Sequence, residues 1–271
     1  MINYTERIAL LMDDICRRTP RLSFINLREV LVFGRHGRPD AEGAFATCHC
    51  LTLPESEPGY YFWRDRATGE LTRRSEWFVT KSPEVRIGSS RIKYLISFVL
   101  PRFCGQTLER SRKAELYPPG APAWLAKLDT VVHELYHIDP DAEGIRKLIR
   151  ADGSDSPRSH GPEFYVEVAE MVNAYLATSP DPALLEFLQH DFDTLQRRFD
   201  GVVATTFKNF PSFPQRYMQP MELPPVEPAI RIEPMKPPSQ PLLYTEDDLH
   251  MRQFTEQAAR RLTRKGAHRA A

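Results

Sequence analysis

Apolar positions near the start of the chain recur at helical spacing. Ile8, Leu11, Met12 and Ile15 share one face behind Thr5 as a candidate cap, which predicts an amphipathic helix over residues 5–17. From Leu22 to Val99 the pattern shortens to β-prone runs at Val30–Phe33, Phe45–Leu53, Tyr60–Trp63, Glu76–Thr80 and Tyr94–Val99. Turn signals part them: Gly34, Gly37 and Pro39, then Pro58-Gly59, then Thr68-Gly69. A small, mostly antiparallel sheet is expected there.

Helical periodicity returns after the proline cluster at Pro118, Pro119 and Pro122. Leu125, Leu128, Val131, Val132 and Leu135 line one face of a helix over 123–138, which Pro140 stops. Residues Ala151–Ser159 are polar and read as loop. A second helix opens at His160, with Pro162 near its first position and Phe164, Val168, Met171, Val172 and Tyr175 as its buried stripe. A third run, Pro182–Phe199, carries Leu184, Leu185, Leu188, Phe192 and Leu195 in similar register. The fold class is therefore α+β.

Ten of the 31 residues from Pro211 to Pro241 are proline, which argues against a packed helix or central strand and for an extended linker or strap. This divides the chain into a main domain at 1–210, the Pro-rich segment at 211–241 and a tail at 242–271. In the tail, Thr245, Glu246, Asp247 and Asp248 precede Arg260, Arg261, Arg264 and Lys265, a charge order that suits the dipole of an amphipathic helix.

Composition narrows the setting. Lys plus Arg and Asp plus Glu number 36 each, so no global field argues for nucleic acid, a membrane surface or a strongly charged ligand. No run of 18 apolar residues suggests a membrane span, and the first 20 residues lack the features of a signal peptide. Cys16, Cys48, Cys50 and Cys104 are too few and too scattered for a disulfide framework, so a reducing, cytoplasmic setting is expected.

The chemistry concentrates in Val131-Val132-His133-Glu134-Leu135-Tyr136-His137, an HExxH arrangement. Histidines four apart on a helix project from one face and can share a zinc ion, while Glu134 beside the first can reach a metal-activated water as general base. The apolar positions lie opposite, which predicts a helix half buried and half open to a cleft. A catalytic zinc shell needs a third protein ligand. His160 is favoured, because it ends a polar loop and starts a helix. Glu163, Glu167 and Glu170 on that helix compete with it. Asp139, Asp141 and Glu143 follow too closely to be favoured as ligands but suit the orientation of the imidazoles.

His133-Glu134-Leu135-Tyr136-His137-Ile138, followed by His160-Gly161-Pro162-Glu163-Phe164, resembles the SprT-like metallopeptidases and related phage-type metallopeptidases. The resemblance implies a zincin-like domain with zinc on His133, His137 and His160, Glu134 as general base, and a protein or peptide substrate. It extends loosely upstream over Ile25–Phe33 and Tyr94–Phe103, within residues 24–176. Proteolysis near nucleic acid is associated with that family, and no second zinc-binding module is visible here.

Weaker signals remain. Cys48-His49-Cys50 lies in an alternating strand, so the cysteines face one way and the histidine the other, against a shared metal. Arg64, Arg66, Arg73 and Arg74 mix with Tyr60, Tyr61, Trp63 and Trp77, as single-strand nucleic-acid surfaces do, although a solvated hairpin has the same composition. Tyr136 and Tyr165 are both near the motif as oxyanion-stabilising candidates. The strand at Tyr94–Val99 is expected to border the cleft and to pair an extended peptide. The competing reading is a non-catalytic zinc-containing adaptor, with a closed structural site and possible nucleic-acid association.

Overall fold

The computed structural model describes residues 1–40, 42–51, 61–74, 83–111, 113–141, 144–147, 160–209, 227–234 and 243–258. The expected strand at Glu76–Thr80, the polar loop at Ala151–Ser159, most of the Pro-rich segment and the basic end of the tail lie outside them. In chain order the elements are β1 (Ile2–Asn3), α1 (Tyr4–Arg18), β2 (Val30–Gly37), β3 (Ala46–Cys50), β4 (Tyr61–Asp65), β5 (Leu71–Arg74), β6 (Glu84–Ile87), β7 (Ser90–Ile92) and β8 (Tyr94–Pro101). They continue with α2 (Leu125–Tyr136), α3 (Pro162–Ala177), α4 (Pro182–Leu185), α5 (Phe192–Phe199), β9 (Val202–Phe207), β10 (Ile230–Pro234), β11 (Leu243–Tyr244) and β12 (Leu249–Phe254). The architecture is mixed α+β, with four small three-stranded sheets among the described residues.

Helix α1 forms where the periodicity placed it. Its cap is Asn3, whose side chain accepts the Glu6 N–H, while the Thr5 hydroxyl accepts the Thr205 N–H and so ties the helix to β9. Ile8, Leu11, Met12 and Ile15 are fully buried against the main core.

The sheet beside the motif helix has the order β2-β8-β3. Strand β8 is parallel to β2, with Val30 opposite Tyr94, and antiparallel to β3, with Ala46 opposite Phe98. Among the described residues pairing is mostly antiparallel, five ladders against three, but the expected single sheet is four: this one is mixed, as are two of the other three. All eight residues of β8 are buried, and a strand apolar on both faces is best accommodated between two others. It therefore separates β2 and β3, which are neighbours in the chain. Ile96, Phe98 and Leu100 face the core shared with α1 and α2, while Leu95 joins Phe33, Val85, Phe207 and Tyr244 in a second cluster. Because both edges of β8 are paired, it cannot be the strand that receives a peptide.

The third helical run is not continuous. It comprises α4, a 3-10 turn at Glu186–Gln189, and α5, capped by Asp191 through the Thr194 N–H. The buried ammonium of Lys127 on α2 takes the Leu188 carbonyl at 2.9 Å and the His190 carbonyl at 2.7 Å, groups that an unbroken helix would use internally.

The tail also departs from expectation. Residues Leu249–Phe254 are a strand antiparallel to β9, not part of an amphipathic helix. Thr245 does form a capping box with Asp248, but only around the 3-10 turn Glu246–Asp248. The ladder with β9 satisfies the backbone and delivers Phe254 to the core, where it stacks on His36 at 4.2 Å. A Cβ on Gly34 would stand 2.9 Å from the Ala204 Cβ and 3.0 Å from the Phe254 ring. Gly34→Ala is accordingly expected to destabilise the fold by about 1–3 kcal/mol in a denaturant titration.

The basic-aromatic hairpin β4–β5 is joined by β10. Trp63 is buried with the Arg73 guanidinium 5.0 Å from its ring centre, and Arg64 and Arg231 both pair with Glu233. The indole is thus not offered to solvent as a stacking platform. No described helix is long and apolar enough to cross a membrane.

Candidate metal centre

Helix α2 carries His133 and Glu134 in its last turn, and His137 caps it, its N–H still bonded to the His133 carbonyl at 3.2 Å. His160 arrives from the other side. It lies one residue before Gly161, the N-cap of α3, with Pro162 at the first helical position. From that place its ring stacks on Tyr165, with centroids 5.6 Å apart and planes 15° from parallel. This is the N′-to-N4 contact that fixes the angle at which a chain enters a helix. The same contact aims His160 at α2.

The Nε2 atoms of the three histidines converge. They lie 3.1 Å apart between His133 and His137, 2.9 Å between His133 and His160, and 3.0 Å between His137 and His160. Three such nitrogens cannot all be satisfied by shared protons, since an N–H aimed along one edge of the triangle leaves another lone pair facing its neighbours. A cation fits, because nitrogens each about 2.0–2.1 Å from one ion need separations within a few tenths of an ångström of these. Burial, with neighbouring His160 and Arg146, pushes His137 down to about 3, and burial likewise holds His133 well below its ordinary value. His133 and His137 are therefore neutral at physiological pH, with lone pairs available. Among the described residues these three histidines form the one group able to hold a metal ion.

Phe164 floors the group, fully buried, with its ring centre 5.0–5.1 Å from each imidazole. The competing carboxylates stay out of it. Glu167 accepts the Tyr136 hydroxyl at 2.5 Å, Glu170 lies 3.5 Å from Arg21, and Glu163 is exposed. Asp139 accepts the Asp141 N–H, and neither bonds to His133 or His137, whose Nδ1 atoms have no partner among the described residues. Glu143 lies outside the described residues.

Glu134 is held by β3. The Val99 N–H to Phe45 carbonyl and Leu51 N–H to Lys93 carbonyl bonds direct the odd-numbered backbone groups of this strand towards β8. The Cys48 N–H consequently points outward, where it donates to the Glu134 carboxylate. Burial pushes Glu134 up to about 8, and Lys113, the Cys48 N–H and Arg35 pull the other way. Cys48 and His49 do face opposite sides of the strand. His49 is pushed down to about 4 by burial and by Arg35.

The expectation of a half-open helix is corrected. Eleven of the twelve residues of α2 are buried, including Lys127, Asp129, Thr130 and Glu134. The polar ones are paired rather than solvated. Asp129 is bracketed by the Lys113 ammonium and by the Tyr117 hydroxyl at 2.5 Å, and Thr130 donates to Gln106 or to the Ala126 carbonyl, both at 3.0 Å. Asp129 and Thr130 stand one helical turn before His133 and Glu134 on the same faces. That spacing was the available signal for a supporting layer, although nothing local names its partners.

Compared with protein-family models, curated proteins and solved structures, the chain shows no match.

Proposed function

We propose that this chain is a zinc-dependent metallohydrolase that cleaves peptide bonds, with His133, His137 and His160 as metal ligands and Glu134 as general base. The convergence of three imidazole nitrogens beside a buried glutamate side chain is the observation that carries the reading. Zinc is favoured by an all-imidazole donor set with no thiolate or carboxylate among the described ligands. The narrower choice of a peptidase rests on the resemblance of 133–138 and 160–164 to the SprT-like metallopeptidases.

Zinc held by these three histidines would supply Lewis acidity, acidifying a water and polarising the scissile carbonyl. Glu134, as the carboxylate that a cation on the neighbouring histidines would favour, would take the proton from the attacking water and deliver it to the departing amine, so the carboxylate ends the cycle as it began. Burial suits it to hold that proton between the two transfers, and the Cys48 N–H fixes its direction. The peptide bond breaks without a covalent enzyme intermediate. Strand β3 has no second neighbour among the described residues and lies beside Glu134, so it replaces β8 as the strand with which an extended peptide would pair.

The test combines metal analysis with an assay on an unfolded protein substrate. About one zinc per chain, cleavage lost on chelation, and cleavage restored by zinc are the expected results. Protein that binds no zinc with its histidines intact would overturn the reading. Zinc bound without peptide cleavage would move the chemistry to another bond or to an adaptor.

A further inference from the structure

Peptide hydrolysis needs a second electrophile. Charge develops on the carbonyl oxygen as water adds, and a hydrogen-bond donor already aimed at that oxygen lowers the barrier. Two tyrosines are near the motif in sequence, and the fold separates them. The Tyr136 hydroxyl is spent on Glu167 at 2.5 Å, and the Arg146 guanidinium covers its ring at 4.0 Å. Tyr165 stands against the metal group itself, its ring centre 5.6 Å from that of His160 and 5.9 Å from that of His133.

Several other donors around the site are committed. Lys113 is bound to Asp129 and Thr130, and Tyr117 to the second oxygen of Asp129. Arg146 donates to the Tyr136 and Ile138 carbonyls, and Tyr94 to that of Gly144. His49 faces the far side of the sheet from Cys48 and Glu134. The Tyr165 hydroxyl makes no hydrogen bond among the described residues, and the side chain is half-buried, as are His133 and His160. A phenol with its ring fixed by stacking and its hydroxyl unbonded among the described residues suits a transient acceptor.

We propose that the Tyr165 hydroxyl donates to the oxygen of the scissile carbonyl as that oxygen gains charge, an assignment that rests on the hydrolytic reading above. The hydroxyl keeps its proton throughout, so the proton balance of Glu134 is unchanged. The ring has a separate duty, since its stack on His160 positions the third ligand. Phenylalanine therefore removes one role and spares the other, whereas alanine removes both.

The experiment uses the full chain loaded with zinc. For Tyr165→Phe, kcat is expected to fall by about 10²–10³-fold with KM changed little, the size seen when one oxyanion donor is lost. The cobalt-substituted visible spectrum and the zinc affinity should match wild type. Tyr165→Ala should weaken zinc binding as well. Affinity for a phosphinic peptide, whose tetrahedral anion mimics the charged oxygen, should fall in Tyr165→Phe in parallel with kcat/KM, while affinity for the cleavage products holds. Wild-type kcat and unchanged phosphinic-peptide affinity in Tyr165→Phe overturn the assignment and leave the hydrolytic reading standing. Wild-type zinc protein that neither cleaves peptides nor binds the phosphinic peptide overturns both.

Discussion

Exchange of Glu134 for glutamine is expected to slow peptide cleavage by about 10²–10⁴-fold while leaving the zinc in place. The amide keeps the volume of the side chain and can still accept the Cys48 N–H, so the three imidazoles have no reason to move. What it cannot do is take a proton from water. Turnover measured beside zinc content separates these effects, and loss of both together would make Glu134 a structural support rather than the base. Metal-free protein offers a second readout. In the folded state burial raises the Glu134 carboxyl from its ordinary 4.5 to about 8. Between those values the folded chain holds a proton that the unfolded chain releases, so this group's contribution to stability is full below pH 4.5 and falls as pH rises towards 8. Above that it is flat. Glutamine carries no such proton, so the stability of metal-free Glu134→Gln should fall less over that window. Parallel pH curves for the two proteins would show that the carboxyl is not held protonated by burial.

Local periodicity made part of this molecule legible. The stripe Ile8, Leu11, Met12 and Ile15 marked α1, Pro162 marked the start of α3, and the four-residue spacing of His133 and His137 placed both on one helical face. The approach of His160 was readable as a position just before a helix, but the stacking on Tyr165 that aims it was not, because it depends on the entry angle. Pairing of β2 with β8 left no local trace either. The partners are separated by the whole of β3 to β7, and parallel strands have no tight turn to announce them. In the tail, charge order suggested a helix from Thr245, whereas the burial of Phe254 and the ladder with β9 decided for a strand over Leu249–Phe254, and helix begins only at Glu256.

The least legible feature was the polar layer beneath the metal group, and it yields the largest expected loss of stability. Lys127, Asp129 and Thr130 fall outside the apolar stripe of α2, yet all three are buried, with partners contributed by distant segments. The Lys113 side chain is 13% exposed and that of Asp129 1%, so their ion pair is largely screened from water. Lys113→Met is expected to cost about 3–5 kcal/mol, because among the described residues it leaves a buried carboxylate with only the Tyr117 hydroxyl for compensation. Adding Asp129→Asn removes the stranded charge, so the double variant should be more stable than Lys113→Met alone. Chemical denaturation of the four proteins in this cycle measures the coupling directly. A loss below about 1 kcal/mol for Lys113→Met would place the pair among solvated surface bridges. The layer also bears on the metal group, since Asp129 and Thr130 precede His133 and Glu134 by one turn of the same helix. The single variant should therefore weaken zinc binding as well as folding, and the double variant should recover both.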